Sequence, residues 1–409
     1  MKVKSMRKQD PGLEITHLGF GQSPFPVPAQ VQAALREHSS DKDYLPTNGL
    51  PRLCTAVANH YHKHYRMHHF PSERVFVGPG SKELLFQLLY LLEGDLLLPA
   101  PSWVSYGPQA ELLAKPIVRI PTSRENNYKL TPSQLEEAAS KANAGQKVLI
   151  LNSPNNPTGV TYTQPELDAL AAVCRDHSVL VLSDEIYAGV QFRHAGPHAS
   201  IAHAYPEGTI VTGGLSKFVA AGGYRLGVAL VPSGDAFSAL CHGLRVIISE
   251  TFSAVSSPIQ WAAVKAYEDF EDIVPYLTAC TAVHEFASLY LHARFLKMGL
   301  ECPKPGGAFY LFPSFHKYRE PLARRDIKKS VDLANWLLDE AKVATLPASD
   351  FYLDPDYLGL RVASVDYDGG PAADHVLAGG RLAGEADIER WAPRLKSGCD
   401  RMEAALRGM

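Results

Sequence analysis

Gly213-Gly214-Leu215-Ser216-Lys217-Phe218-Val219-Ala220-Ala221-Gly222-Gly223-Tyr224-Arg225-Leu226-Gly227 decides how this 409-residue chain is read. An apolar run, Thr209 to Thr212, ends in paired glycines, and a second run, Leu226 to Pro232, begins just after Arg225. The pattern predicts a lysine on a loop at a strand end, between glycines that let backbone approach a ligand closely. Taken alone, a Ser-Lys pair followed by an arginine fits an ordinary surface lysine more readily than a site, because short motifs match by chance. Other stretches reverse those odds.

Outward from this loop, short apolar runs recur at residues 74–77, 95–99, 116–120, 147–152, 179–183, 209–212 and 226–230. Helix-period stretches separate most of them, and two of these open with capping boxes, Thr131-Pro132-Ser133-Gln134 and Thr163-Gln164-Pro165-Glu166. Apolar strands alternating with helices predict an α/β fold, with a mostly parallel seven-stranded sheet covered on both faces. In such sheets ligands bind beyond the carboxyl ends of the strands. A Gly- and Pro-rich arm, residues 1–45, precedes a large unit over 46–295, and a smaller α+β unit over 296–409 follows it. In the small unit 308–312, 343–346 and 359–364 read as strands, and Ile388, Trp391, Leu395, Cys399, Met402 and Leu406 make an apolar stripe at helical spacing. The Gly/Ala/Asp-rich segment 366–385 reads as a long loop.

Composition narrows the function classes. A net charge of -3 gives no reason to expect nucleic acid as a partner, and no uninterrupted apolar span reaches membrane length. The basic start, Met-Lys-Val-Lys-Ser-Met-Arg-Lys, lacks the apolar core of a secretion signal and reads as a cytosolic tail. Six scattered cysteines, without a Cys-x-x-Cys pair, suggest free thiols rather than a disulfide scaffold or a zinc site. His60, His62, His64, His68 and His69 cluster, but no acid sits among them, so a solvated helix face is favoured over a metal site and no metal is expected.

The polar residues that carry chemistry stand just after the apolar runs. Gly80, Ser81 and Lys82 open a helix whose amides suit a phosphate, although a plain strand-to-helix turn fits as well. Asn152-Ser153-Pro154-Asn155-Asn156-Pro157-Thr158-Gly159 is a turn loaded with residues that fix backbone. Asp184, in Ser183-Asp184-Glu185-Ile186-Tyr187, follows a wholly apolar strand, where a carboxylate needs a cationic partner. Pyridoxal phosphate would use each of these: an aldehyde for Lys217, a phosphate for Ser216 and Arg225, a pyridinium for Asp184, a phenolic oxygen for Asn156 and Tyr187, and a ring face for Trp103. N-cap, core and surface roles for the same residues remain the bland alternatives.

Asn-Asn-Pro-Thr-Gly, Asp-Glu-Ile-Tyr and a Ser-Lys pair followed by Arg225, in this order, resemble the fold type I pyridoxal-phosphate enzymes, in particular the class I/II aminotransferases of the aspartate aminotransferase type. The resemblance runs from Leu18 to the C-terminal helix. It implies that Lys217 forms the Schiff base and shuttles protons, that Asp184 pairs with the pyridinium, and that Asn156 and Tyr187 contact the phenolic oxygen. It further implies that Ser216, Arg225 and the amides around Gly80, Ser81 and Lys82 hold the phosphate, with Trp103 stacked on the ring. Arg361 would grip the α-carboxylate of the substrate, with the Gly21 backbone beside it. Tyr44, in a segment similar to the family's Tyr-x-Pro-x-x-Gly-Leu, would reach the phosphate of a neighbouring subunit, which implies a homodimer. The implied reaction moves the amino group of an L-amino acid to a 2-oxo acid by a ping-pong route; a C-S lyase, an aminocyclopropane-carboxylate synthase-like lyase and an amino-acid oxidase share the same cofactor residues. Regulators with an aminotransferase-like domain are argued against by the short arm. Two departures stand out: Gly214 replaces a serine common in relatives, and Pro347-Ala348-Ser349-Asp350-Phe351 replaces Pro-Gly-x-x-Phe. Tyr106 and Phe25 are expected to line the pocket.

Overall fold

Every one of the seven apolar runs forms a strand of one sheet in the computed structural model, which describes residues 3, 6, 10, 12–142 and 145–409. The basic tail lies outside the described residues apart from Val3 and Met6. After a short arm strand β1 (Thr16–His17), the strands are β2 (Val75–Gly78), β3 (Asp95–Ala100), β4 (Ile117–Pro121), β5 (Lys147–Asn152), β6 (Val179–Asp184), β7 (Thr209–Gly214) and β8 (Gly227–Leu230). Their spatial order is β2-β8-β7-β6-β5-β3-β4, and only β8 runs antiparallel to its neighbours. Unbroken apolar runs are what strands buried on both faces require, and β2, β3, β7 and β8 are buried along their whole length. β4, at the edge, is buried only at Ile120.

Local sequence starts the helices where expected. Thr131 accepts from the Gln134 amide while Gln134 accepts from the Thr131 amide, and Thr163 and Glu166 form a second reciprocal pair. The helix Ser81–Leu91 begins directly after Gly80, whose φ of 95° a side chain would strain.

Beyond the large sheet, β9 (Tyr310–Leu311), β10 (Val343–Ala344), β11 (Leu346–Pro347) and β12 (Leu360–Ala363) build the smaller part, as an antiparallel β11-β12-β9 sheet and a parallel pair of β1 with β10. The arm is thus sewn to the C-terminal part: the Leu18 amide donates to the Ala344 carbonyl and the Leu18 carbonyl accepts from Ala363. One apolar core collects Leu18, Phe25, the later turns of the helix Phe270–Lys297, and the helices Ser330–Glu340 and Pro393–Arg407.

Two expectations are overturned. Residues 366–385 are not a long loop, because Gly369–Leu377 is a helix. Its small residues are packing residues: Ala372 and Ala373 are buried in the core shared with the helix Phe270–Lys297, and a Cβ on Gly369 would lie 2.7 Å from the Phe25 ring. His60 is not on a solvated helix face. It is buried among Tyr65, Phe218, Tyr267 and Phe270, and its Nδ1 has no hydrogen-bond partner. His62, His68 and His69 are exposed, and among the described residues no group of three or more potential ligands is arranged to hold a metal.

Burial pushes the His60 imidazole down to about 3, with His64 adding to the effect. The folded protein therefore keeps His60 neutral where the unfolded chain, at an ordinary 6.5, takes up a proton. Its stability is complete above pH 6.5 and is lost as pH falls towards 3, by about 2 kcal/mol between pH 7 and 5. His60→Phe is expected to show a pH 7 to 5 decline in urea stability smaller than wild type by that amount; equal declines would contradict it.

Candidate active site

Three adjacent parallel strands end in a row of polar residues. The register pairs Asn152 of β5 with Asp184 of β6, and Asp184 with Thr212 of β7. Thr212 donates to one Asp184 carboxylate oxygen at 3.3 Å, Tyr106 donates to the other at 2.6 Å, and the Asn152 side chain donates to the Asp184 carbonyl at 2.7 Å. Asn152 also accepts from the Asn156 amide at 2.8 Å, and Asn155 accepts from both amide and hydroxyl of Thr158, so the turn after β5 is held by its own asparagines.

β7 continues through Gly214 into the single helical turn Leu215–Phe218, which carries Ser216 and Lys217. Gly214 has φ of 146°, and a Cβ there would lie 2.6 Å from the Leu226 carbonyl. The close pairing of β7 with the backbone entering β8 thus leaves no room for a side chain at this position. Arg225 adopts a left-handed conformation, φ 53°, and its guanidinium donates to the Gly222 and Pro79 carbonyls. It passes so close to Gly80 that a Cβ there would lie 2.3 Å from its Nη2.

These groups surround a cavity of about 650 Å³. Gly21, Ser81, Lys82, Trp103, Asn156, Asp184, Tyr187, Ser216, Lys217, Arg225 and Arg361 all line it. Gly80 stands behind the wall against Arg225, and Tyr44, 94% exposed, is not part of its own chain's cavity. The Lys217 ammonium donates to the Gly21 carbonyl at 3.0 Å and lies over the rings of Tyr187 and Phe309. Lys82 places its ammonium 4.9 Å from the Trp103 ring centre.

Two buried charges in this wall make no ion pair among the described residues, although the Asp350 carboxylate interacts electrostatically with Arg361. Asp184 is buried, and among the described residues no lysine, arginine or histidine pairs with it. Burial pushes its carboxyl up to about 6, against the hydrogen bonds from Tyr106, the Ile186 amide and Thr212 that stabilise the anion. Arg361, on β12, is equally buried and has no ion pair among the described residues; its donors reach only the Asn156 side chain at 3.2 Å and the Gly19 carbonyl at 2.7 Å, and its Nε has no acceptor. A ligand that brings a cation to Asp184 and a carboxylate to Arg361 supplies what both lack.

Some placements differ from expectation. The arm carbonyl on Arg361 belongs to Gly19, whereas Gly21 serves Lys217. Phe25 does not line the large cavity; it packs edge-on against the His284 ring at 4.9 Å, beside a small void behind Lys217. Tyr106 does line the cavity, but as the hydrogen-bond donor of Asp184. Tyr310 and Thr212 went unread: each lies inside an apolar run where nothing local marks a polar role.

The family described as "Aminotransferase class I and II" matches residues 14–368, well over half of the chain. The chain belongs to the class I and II aminotransferases. Among relatives of this aminotransferase, the aspartate aminotransferase of Geobacillus stearothermophilus is 34% identical over 86% of this chain and 88% of its own. The asparagine–oxo-acid transaminase of Streptococcus mutans is 30% identical over 86% of this chain and 87% of its own. The solved aromatic aminotransferase of Pyrococcus horikoshii superposes with a TM-score of 0.81 at 26% identity, covering 99% of this chain and 98% of that one. The enzyme is therefore a pyridoxal-phosphate-dependent transaminase, and its buried Asp184, without an ion pair among the described residues, and the donors of Ser216, Arg225 and the first turn of Ser81–Leu91 along one cavity suit that cofactor.

Proposed function

We propose that this aminotransferase moves the amino group of an L-amino acid to a 2-oxo acid in two alternating half-reactions, with Lys217 as the lysine that carries the cofactor. The observation that carries the proposal is the pair of buried charges without an ion pair among the described residues, Asp184 and Arg361, facing one cavity with Lys217. Pyridoxal phosphate supplies an aldehyde that bonds amines covalently and a ring that takes up electrons when the α-proton leaves. Arg361 binds the α-carboxylate and so orients the α-carbon. Lys217 Nζ, once released by the incoming amine, would take the α-proton and return it to the former aldehyde carbon, two bonds away across the nitrogen. The Asp184 carboxylate holds a proton on the ring nitrogen, Asn156 and Tyr187 bond the phenolic oxygen, and Ser216, Arg225 and the Ser81 and Lys82 amides hold the phosphate. Trp103 covers one ring face.

Aspartate is the amino donor we place first. The Geobacillus relative carries that name, and Lys82 adds a cation to the cavity wall besides Lys217, Arg225 and Arg361. We also take the enzyme to be a cytosolic homodimer: all six cysteines are free thiols, and the nearly fully exposed Tyr44 is suited to complete a partner's phosphate site. Residues 46–295 are assigned to the cofactor-holding unit and 296–409 to the small one; of the arm of 1–45, Leu18 and Phe25 share the core of the small unit, whereas Val31 packs in a core of the large one.

Mixing the loaded enzyme with single L-amino acids and no oxo acid tests the reaction class. Loss of the visible absorbance with one equivalent of 2-oxo acid per site is expected, whereas continuous release of ammonia or sulfide, or oxygen uptake, would overturn it. Arg361→Gln is expected to raise KM for the amino acid about 100-fold while cofactor absorbance persists, because a charge-assisted bidentate contact is lost; an unchanged KM would remove Arg361 from the substrate site.

A further inference from the structure

Tyr310 lines the cavity, and the roles above give it no task. It is buried on β9, with its backbone paired to Ala363 of β12. Its hydroxyl lies 2.9 Å from the Tyr187 hydroxyl, and Arg361 sits over its ring, with Cζ 4.7 Å from the ring centre. The arm meets the same hydroxyl: a Cβ on Gly21 would lie 1.9 Å from it, and the Gly21 carbonyl is the acceptor of Lys217. One phenol therefore touches the neighbours of the cofactor oxygen, the substrate carboxylate and the lysine.

We propose that Tyr310 is a positioning residue that donates its hydroxyl proton to the Tyr187 oxygen and thereby aims the Tyr187 proton at the phenolic oxygen of the cofactor. This rests on the reading of Tyr187 given above. Each tyrosine has one proton to give. If Tyr187 spends its proton on the cofactor, the short contact between the two hydroxyls can be bridged only by the proton of Tyr310. A hydroxyl that accepts a hydrogen bond is also polarised into a better donor, so the chain strengthens the contact at its far end. Gly21 is glycine here for a matching reason: any side chain would push the arm off the hydroxyl or the hydroxyl off Tyr187.

The titratable and charged groups facing this pair are Asp184 at the end of β6, Lys217 after β7 and Arg361 on β12. His284, behind Phe309, is held by burial at about 3 and stays neutral throughout the range that matters.

The visible band of the lysine-linked cofactor reports the proton on the lysine nitrogen. A donor at the phenolic oxygen stabilises the deprotonated form, so weakening that donor raises the titration midpoint. Tyr310→Phe keeps the ring beneath Arg361; its midpoint is expected to rise by about 0.5 pH unit, less than in Tyr187→Phe, with KM for the amino acid within about twofold of wild type. Tyr310→Leu also loses the ring, so the same rise is expected together with a several-fold higher KM. A midpoint unmoved in both Tyr310 variants, when Tyr187→Phe moves it, overturns the role of Tyr310. A midpoint unmoved in all three overturns the reading of Tyr187 itself.

Discussion

Lys217→Ala is expected to fold normally, to bind pyridoxal phosphate reversibly, and to turn over at least about 10⁴-fold more slowly than wild type, because covalent attachment and proton transfer are lost together. The fold should survive because Lys217 contributes little to it. Its ammonium makes one hydrogen bond, to the Gly21 carbonyl, and no ion pair among the described residues, and its side chain faces the cavity rather than a core. Position is what makes the loss severe. The lysine stands one helical turn after β7, near the polar row of Asn152, Asp184 and Thr212, and among the described residues no other lysine but Lys82 lines the cavity. Lys82 is committed to the Trp103 face. Borohydride reduction followed by peptide mass mapping gives an independent reading: the cofactor should be fixed to Lys217 in wild type and to no residue in the variant. Near-normal turnover, or labelling of Lys82, would sink the assignment.

Much of this site could be read without coordinates because of where its polar residues stand. A strand buried on both faces must be an unbroken apolar run, so the seven runs marked the sheet, and whatever polar group followed a run had to lie at the rim where ligands bind. Asp184 follows its run directly, and Ser81, Asn156 and Lys217 stand in the turns just beyond theirs. What stayed hidden depended on distant contacts. Tyr310 sits in Ala308 to Phe312, where an aromatic residue reads as core, and its task appears only once β9 lies beside Arg361 and Tyr187. His60 looks like one polar residue of a histidine-rich helix until Phe270 and Tyr267, some two hundred positions away, close over it. The Gly/Ala-rich helix Gly369–Leu377 was misread because small residues signal loops in composition but close approach in packing.

Asp184→Asn carries the second large effect, and it separates function from stability by sign. Burial holds the Asp184 carboxyl near 6, above its ordinary 3.8, so the folded protein binds that proton more tightly than the unfolded chain. Ionised Asp184 therefore costs the cofactor-free protein about 1–3 kcal/mol above pH 6; the cost shrinks as pH falls and is gone below the unfolded value. Asparagine keeps the shape, its oxygen can still accept from Thr212 and the Ile186 amide, and the Tyr106 hydroxyl can turn to accept from the new amide. The cofactor-free variant should thus be more stable than wild type at pH 7.5 and no different near pH 4. With cofactor the order reverses in function: a neutral amide cannot hold the ring nitrogen protonated, and turnover should fall about 10³-fold, as when a preorganised electrostatic contact is removed. Denaturant titrations of both cofactor-free proteins at the two pH values, set beside their half-reaction rates, read the two effects separately. A variant that loses stability at pH 7.5 while keeping its rate would mean that Asp184 is a structural N-cap residue after all; the opposite pair of results is what an anion maintained at a cost to stability, for the sake of a bound cation, must give.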